Sequence, residues 1–248
     1  MITDRLDLTF IAARLEGLEE TIISKLVDRA QFCANSVVYE LGQSGFAGET
    51  SQSLFGLRLL QQEQLDARFG RFCAPEERPF TKDLPLPQRV VTIPETGLQI
   101  LNCNVISQAK DILKSYMNLI PQICAEGDDG QYGSSVEHDI ASLQAIARRI
   151  HYGALYVAES KFAGDPLEYT KLIKEKNAGA LMEKLTRKEV EDRIIVRIKE
   201  KTIAAQSLVN RLVRNVIDPD IVAAYYRTSI IPLTKEGEIA YLLNRLNV

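Results

Sequence analysis

Several side chains that can hold or move charge fall where the stripe of a helix calls for an apolar residue. Lys161 continues the line Ile150, Ala154, Val157, and Glu191 lies one turn from Ile194 and Ile195. Thr234 and Glu238, four apart, share a face with Ile231 and Leu242. Arg149 stands beside the apolar positions of RRIHYGALYVAESKF, residues 148–162. Taken singly, each has an ordinary explanation: a lysine can snorkel, a glutamate can edge a buried stripe, a threonine can cap. Taken together, they describe a pocket of Arg, Lys, Glu, Thr and Glu drawn from different helices, a common way for helical bundles to build sites. The set contains no nucleophile with an adjacent base. It suits binding, or a reaction driven by holding a substrate in shape and stabilising charge.

Arg149 and Lys161 pose a geometric condition. At about 100° per residue, the twelve steps between them make three turns plus roughly 120°, so a regular helix turns them apart. A helix that absorbs one extra residue as a π-bulge or kink near Gly153 to Val157 aims both inward.

The elements that must position these groups read as helices. Residues 8–34 place Ile11, Leu15, Leu18, Ile22, Leu26 and Val27 at three-and-four spacing, with Glu19 and Glu20 assigned to the other side. The loop GQSGFAGETSQS leads to a helix near 53–71, and residues 74–98 hold five of the nine prolines. That composition predicts an extended crossover, long enough to require packing over a neighbour or a subunit contact. Helix resumes over 105–124, stops at GDDGQYGSS (127–135) and returns over 136–162. Ser134 or Ser135 caps this last helix, where free backbone N–H groups make either an anion pocket or an ordinary cap. GDP at 164–166 ends it, and a short helix follows. Thr186 and Glu189 form a capping box opening the next long helix. Asp218 with Pro219 caps another, and Pro232 marks the start of the last. No strand alternation or internal repeat appears, so the expected fold is all-α: a single-domain, multi-helix bundle over residues 1–248.

Composition narrows the function classes. The chain is 46% hydrophobic and 25% charged with net charge −3, both signs interspersed. No basic field points to nucleic acid, and no basic amphipathic helix or long apolar run points to a membrane. MITDRLDLTF does not read as a targeting segment, so the expectation is a cytoplasmic protein, with a plastid or secreted mature form left open. Cys33, Cys73, Cys103 and Cys124 lie far apart without ligand spacing, and His138 and His151 are the only histidines, so reduced thiols and no metal site are expected. The phosphate-loop, dinucleotide and GxSxG signatures are absent.

Two blocks then point to a family. DIASLQAIARRIHYGALYVAESKF (139–162) resembles the D-I-x-x-L-Q-x-x-x-R-R-I-H-[FY]-G-K-F-V-A-E-x-K-F block of the all-helical chorismate mutases of yeast and plants. IIPLTKEGEIAYLLNRL (230–246) resembles their carboxyl-terminal I-P-[IL]-T-K-E-x-E-V-x-Y-L-L-R-R-L. GRFCAPEERPF (70–80), GDDGQYGS (127–134) and EETIISKLVDR (19–29) extend the match nearly end to end.

The resemblance implies an isomerase that converts chorismate to prephenate by a Claisen rearrangement in phenylalanine and tyrosine biosynthesis, with no cofactor. It also implies a homodimer whose intersubunit site takes tyrosine as inhibitor and tryptophan as activator. By position, Arg149 becomes a carboxylate clamp, Lys161 and Glu238 donors to the ether oxygen, Glu191 the acceptor of the substrate hydroxyl, and Thr234 a lining residue. Arg71, Gln131, Gly133 and Ser134 fall on the effector site, with Gly70 plant-like and Glu137 and Asp218 replacing yeast threonines. Two departures stand out. Ala12 replaces a substrate-contacting arginine of the first helix; Arg14 is roughly 200° round from it. Arg187, on the face of Glu191, either supplies the missing charge or points to solvent. GALYV is one residue longer than the family's stretch. These departures motivate an alternative: a paralogue of weak or lost activity that senses aromatic amino acids or binds a pathway enzyme.

Overall fold

The computed structural model describes residues 6–248, and among them no strand occurs. Helix α1 (Leu8–Arg29) begins where the Asp7 carboxylate accepts the Phe10 N–H at 3.0 Å. Helix α2 (Leu54–Arg68) starts at Ser53, whose hydroxyl accepts the Gly56 N–H at 3.0 Å. Then come α3 (Ala109–Ile123), α4 (Tyr132–Tyr152), a π-turn (Gly153–Val157), α5 (Ala158–Gly164), α6 (Pro166–Lys174) and α7 (Ala178–Leu185). The chain closes with α8 (Lys188–Ala205), α9 (Pro219–Tyr225), a second π-turn (Tyr226–Ile230) and α10 (Ile231–Leu243).

Two apolar clusters form the interior. One gathers Ile22, Leu26, Tyr116, Leu143, Ile150 and Tyr226; the other gathers Ile11, Leu18, Leu155, Phe162, Leu181 and Tyr241. Helix α1, the α4–α5 rod and the α9–α10 rod each contribute to both, and the two rods pass from one cluster to the other near their π-turns.

The proline-rich crossover lacks helix over residues 74–102, as expected, and it packs on its own chain. Buried Glu63 accepts the N–H groups of Phe80 and Thr81, while the Gln99 N–H donates to the Tyr241 hydroxyl at 2.9 Å. Several expectations need correction. Helix α1 stops at Arg29 rather than residue 34, and Glu19 is wholly buried rather than on the outer side. No capping box forms at Thr186, because its hydroxyl closes α7 by donating to the Met182 carbonyl at 2.8 Å, and α8 begins at Lys188. Neither Ser134 nor Ser135 caps the helix that follows 127–131. Helix α4 starts earlier, at Tyr132, and the Asp128 and Asp129 carboxylates take the Gly130 and Gln131 N–H groups at 2.8 and 2.9 Å. Pro232 stands in the first turn of α10, as expected, but α10 is no separate helix: it continues a rod that runs from Pro219 through the second π-turn to Leu243. The missing N–H of Pro232 leaves the ladder short at the preceding turn, where the second π-turn sits.

Candidate active site

Helix α10 crosses the first π-turn at small residues. A Cβ on Gly153 would lie 2.7 Å from Thr234 Cγ2, and one on Gly237 would lie 2.6 Å from Ala154 Cβ. Glycine therefore permits the approach. It sets Thr234 and Glu238 against Arg149 and Lys161: Arg149 Nη1 donates to Thr234 Oγ1 at 3.3 Å, and Lys161 Nζ donates to Glu238 Oε2 at 3.1 Å. Lys161 also donates to the Leu185 carbonyl at 3.0 Å. Both cations thus face one helix despite their twelve-residue spacing, because the π-turn takes up the surplus residue.

These groups line a cavity of about 500 Å³ enclosed by α1, α8 and α10 with the α4–α5 rod. Arg149 is only 3% exposed, its Nε has no hydrogen-bond partner, and its nearest carboxylate oxygen, on Glu19, is 3.9 Å away. Glu19 is already committed elsewhere. Arg197 holds it with two bonds of 2.9 and 2.8 Å, and that bonded carboxylate raises the Arg197 pKa. A buried guanidinium that donates only to a neutral hydroxyl is matched to an incoming anion.

At the other end, burial pushes the Glu238 carboxyl above the usual carboxylate range, against the opposing pull of Lys161. The two effects compete, and burial wins because Glu238 is 4% exposed. Glu191 lines the cavity half-buried, with Lys235 Nζ 2.9 Å from its Oε1. Arg187 reaches the cavity from the residue before α8 and is exposed. It follows Leu185, whose carbonyl takes the Lys161 Nζ bond, by two residues, so it stands toward the Lys161–Glu238 end. Ala12 lines the cavity; Arg14 is exposed and does not.

The structure therefore brings Arg149, Lys161, Arg187, Glu191, Thr234 and Glu238 to one cavity. It does not bring the expected effector residues together within one chain. Gln131, Gly133 and Ser134 lie exposed at the start of α4, whereas Arg71 bonds Gln144, ten residues and about 15 Å of helix rise beyond Ser134. Arg71 is also paired with Asp66 at 2.9 Å and Glu77 at 3.0 Å. Sequence reasoning missed Glu19, Arg197 and Lys235. Glu19 did carry a signal: it follows Leu15 by four and precedes Ile22 by three, which is stripe spacing. Among the described residues, no group of His, Cys, Asp and Glu is arranged to hold a metal ion, all four cysteines are free, and no helix is long and apolar enough to cross a membrane.

No family model matches the chain. Individual proteins do. It is 38% identical to chorismate mutase 2 of Petunia hybrida over 98% of its own length and 95% of that protein. The chain belongs to the chorismate mutase family. Its fold agrees with solved members: the chorismate mutase Aro7p of Candida albicans, in complex with L-Trp, aligns with a TM-score of 0.88 at 33% identity, covering 99% of this chain and 94% of that one. AtCM1 with tyrosine bound in its allosteric site aligns at 0.86 and 35% identity over 97% of each chain. Membership makes the chain an isomerase with an all-α chorismate mutase fold. The alternative of a paralogue without activity finds no support in these matches.

Proposed function

We propose that the cavity binds chorismate as a folded dianion and converts it to prephenate. The observation that carries this reading is Arg149, a buried fork with no carboxylate in hydrogen-bond range, set across a 500 Å³ cavity from the Lys161–Glu238 pair. Arg149 clamps one substrate carboxylate, with Thr234 orienting the guanidinium. As the carbon–oxygen bond breaks, the ether oxygen gains negative charge. Lys161 and protonated Glu238 donate to it, while Glu191, steadied by Lys235, accepts from the substrate hydroxyl. Arg187 adds positive charge for the dianion at the Lys161–Glu238 end. No nucleophile takes part: the protein supplies shape and electrostatics.

The same reading includes a cytoplasmic homodimer regulated by tyrosine and tryptophan. Arg71, Gln131, Gly133 and Ser134 would then meet across two subunits, which fits their separation within one chain. Mixing the purified protein with chorismate, with and without tyrosine and tryptophan, tests both parts. Turnover to prephenate is expected, and Arg149→Ala should lower kcat/KM by about a hundredfold or more. Absence of turnover would refute the reading.

A further inference from the structure

We infer that Arg193 of α8 is a second carboxylate-binding cation of this cavity, occupying from across the gap the role left open by Ala12 on α1. The inference rests on the reading that the cavity takes chorismate. It starts from a ladder of charges between the two helices. Lys201 Nζ bonds Glu20 Oε1 at 2.9 Å and lies 3.5 Å from Glu19 Oε2. One turn earlier on α8, Arg197 bonds Glu19 and lies 3.1 Å from Glu16 Oε1. One further turn back, about 5.4 Å along each axis, sets Arg193 level with Ala12 and Leu15. Here the ladder has no acid, and Arg193, Ala12 and Leu15 all line the cavity.

Charge accounting singles out the same residue. The carboxylates nearest this end are occupied: Glu16 and Glu19 by Arg197, and Glu191 by Lys235. Arg193 makes one bond, from Nε to the Glu189 carbonyl at 3.3 Å, and among the described residues it forms no ion pair. Arg187 also forms no ion pair among the described residues, but it stands two residues from Leu185, whose carbonyl Lys161 bonds, and so belongs to the Lys161–Glu238 end. A dianion whose first carboxylate sits on Arg149 thus meets, on the α1 side, a methyl group at position 12 and, on α8, a guanidinium that no described carboxylate holds. Arg193 has planar bidentate geometry suited to a carboxylate.

Steady-state kinetics on chorismate with R193M, R193K, R187M, A12R and the A12R/R193M and A12R/R187M pairs tests the assignment. R193M should raise KM about tenfold to a hundredfold, the loss expected for one charge-assisted bond, with a smaller change in kcat. R193K should fall between. Placing an arginine at position 12 should return KM in A12R/R193M to within a few-fold of the unmodified enzyme and leave the R187M defect unrescued. An R193M KM within twofold of the unmodified value, or a defect that A12R does not repair, overturns the assignment while leaving the chorismate reading intact. No turnover by the unmodified chain overturns both. Because Arg193 is exposed and forms no ion pair among the described residues, R193M should keep its melting temperature; should it not, R193K with A12R/R193K decides by the same KM criterion.

Discussion

Glu238 can donate to an ether oxygen only while it holds its proton. Its folded pKa is raised by burial, with Lys161 pulling the other way, so the protonated form persists to higher pH than on an exposed glutamate. The sign follows: activity is present below that pKa and falls as pH rises through it. Glu238→Gln should remove this limb, because an amide donates at every pH, leaving a flatter profile and a lower acid plateau. The check is kcat/KM against pH for both forms. A falling limb of the same position in E238Q, or a flat profile in the unmodified enzyme, would assign the proton to another group. Glu238 and Lys161 were legible in the sequence because a charge on an apolar stripe is conspicuous. Glu19 was misplaced because two adjacent glutamates look like one solvated face, although only Glu20 is exposed. Lys235 was passed over because a lysine near a glutamate on another helix leaves no mark in the sequence.

The proposed catalytic pair, Lys161 and Glu238, depends on where two rods cross. The surplus residue between Arg149 and Lys161 made a π-bulge or kink a readable condition, and the turn at Gly153–Val157 meets it. The second π-turn was not anticipated, since a proline near a helix end reads equally well as a first-turn residue. Nor could sequence alone show that Gly153 and Gly237 are the contact points. Gly153→Ala places a methyl 2.7 Å from Thr234 Cγ2 and 3.5 Å from Arg149 Nη1. It should cost about 1–3 kcal/mol of stability and, by shifting Thr234 and Glu238, lower kcat/KM by as much as about a hundredfold. Gly17→Ala provides the contrast. A Cβ there meets nothing within 4 Å inside α1, so this change should stabilise by up to about 1 kcal/mol. Melting curves and kinetics of the two variants, side by side, separate overpacking at the crossing from a general effect of alanine; equal behaviour would remove the crossing from the account.

At the scale of the molecule, a single buried arginine ties the first cluster together. Arg29 is wholly buried and donates to Asp139, whose other bonds come from the hydroxyls of Tyr39 at 2.6 Å and Tyr116 at 2.8 Å. Arg29 also donates to the carbonyls of Phe32, Cys33 and Ala34, so it both neutralises a buried acid and closes the end of α1. Arg29→Met leaves Asp139 without its countercharge and three carbonyls without that donor, a loss of about 3–5 kcal/mol. For a chain of this size that corresponds to a fall in Tm of ~6–20 °C. The loss should not stay local. Helix α1 carries Arg29 in one cluster and Ile11 and Ala12 beside the cavity, and α4 continues through the π-turn to Lys161. Because these rods bridge both clusters, neither half can melt without unseating the other. The expected result is therefore one cooperative transition at lower temperature, with helical circular dichroism and turnover after brief heating lost at the same midpoint. Two separated transitions, with activity surviving the first, would show that the clusters unfold independently and that the bridging rods do not couple them.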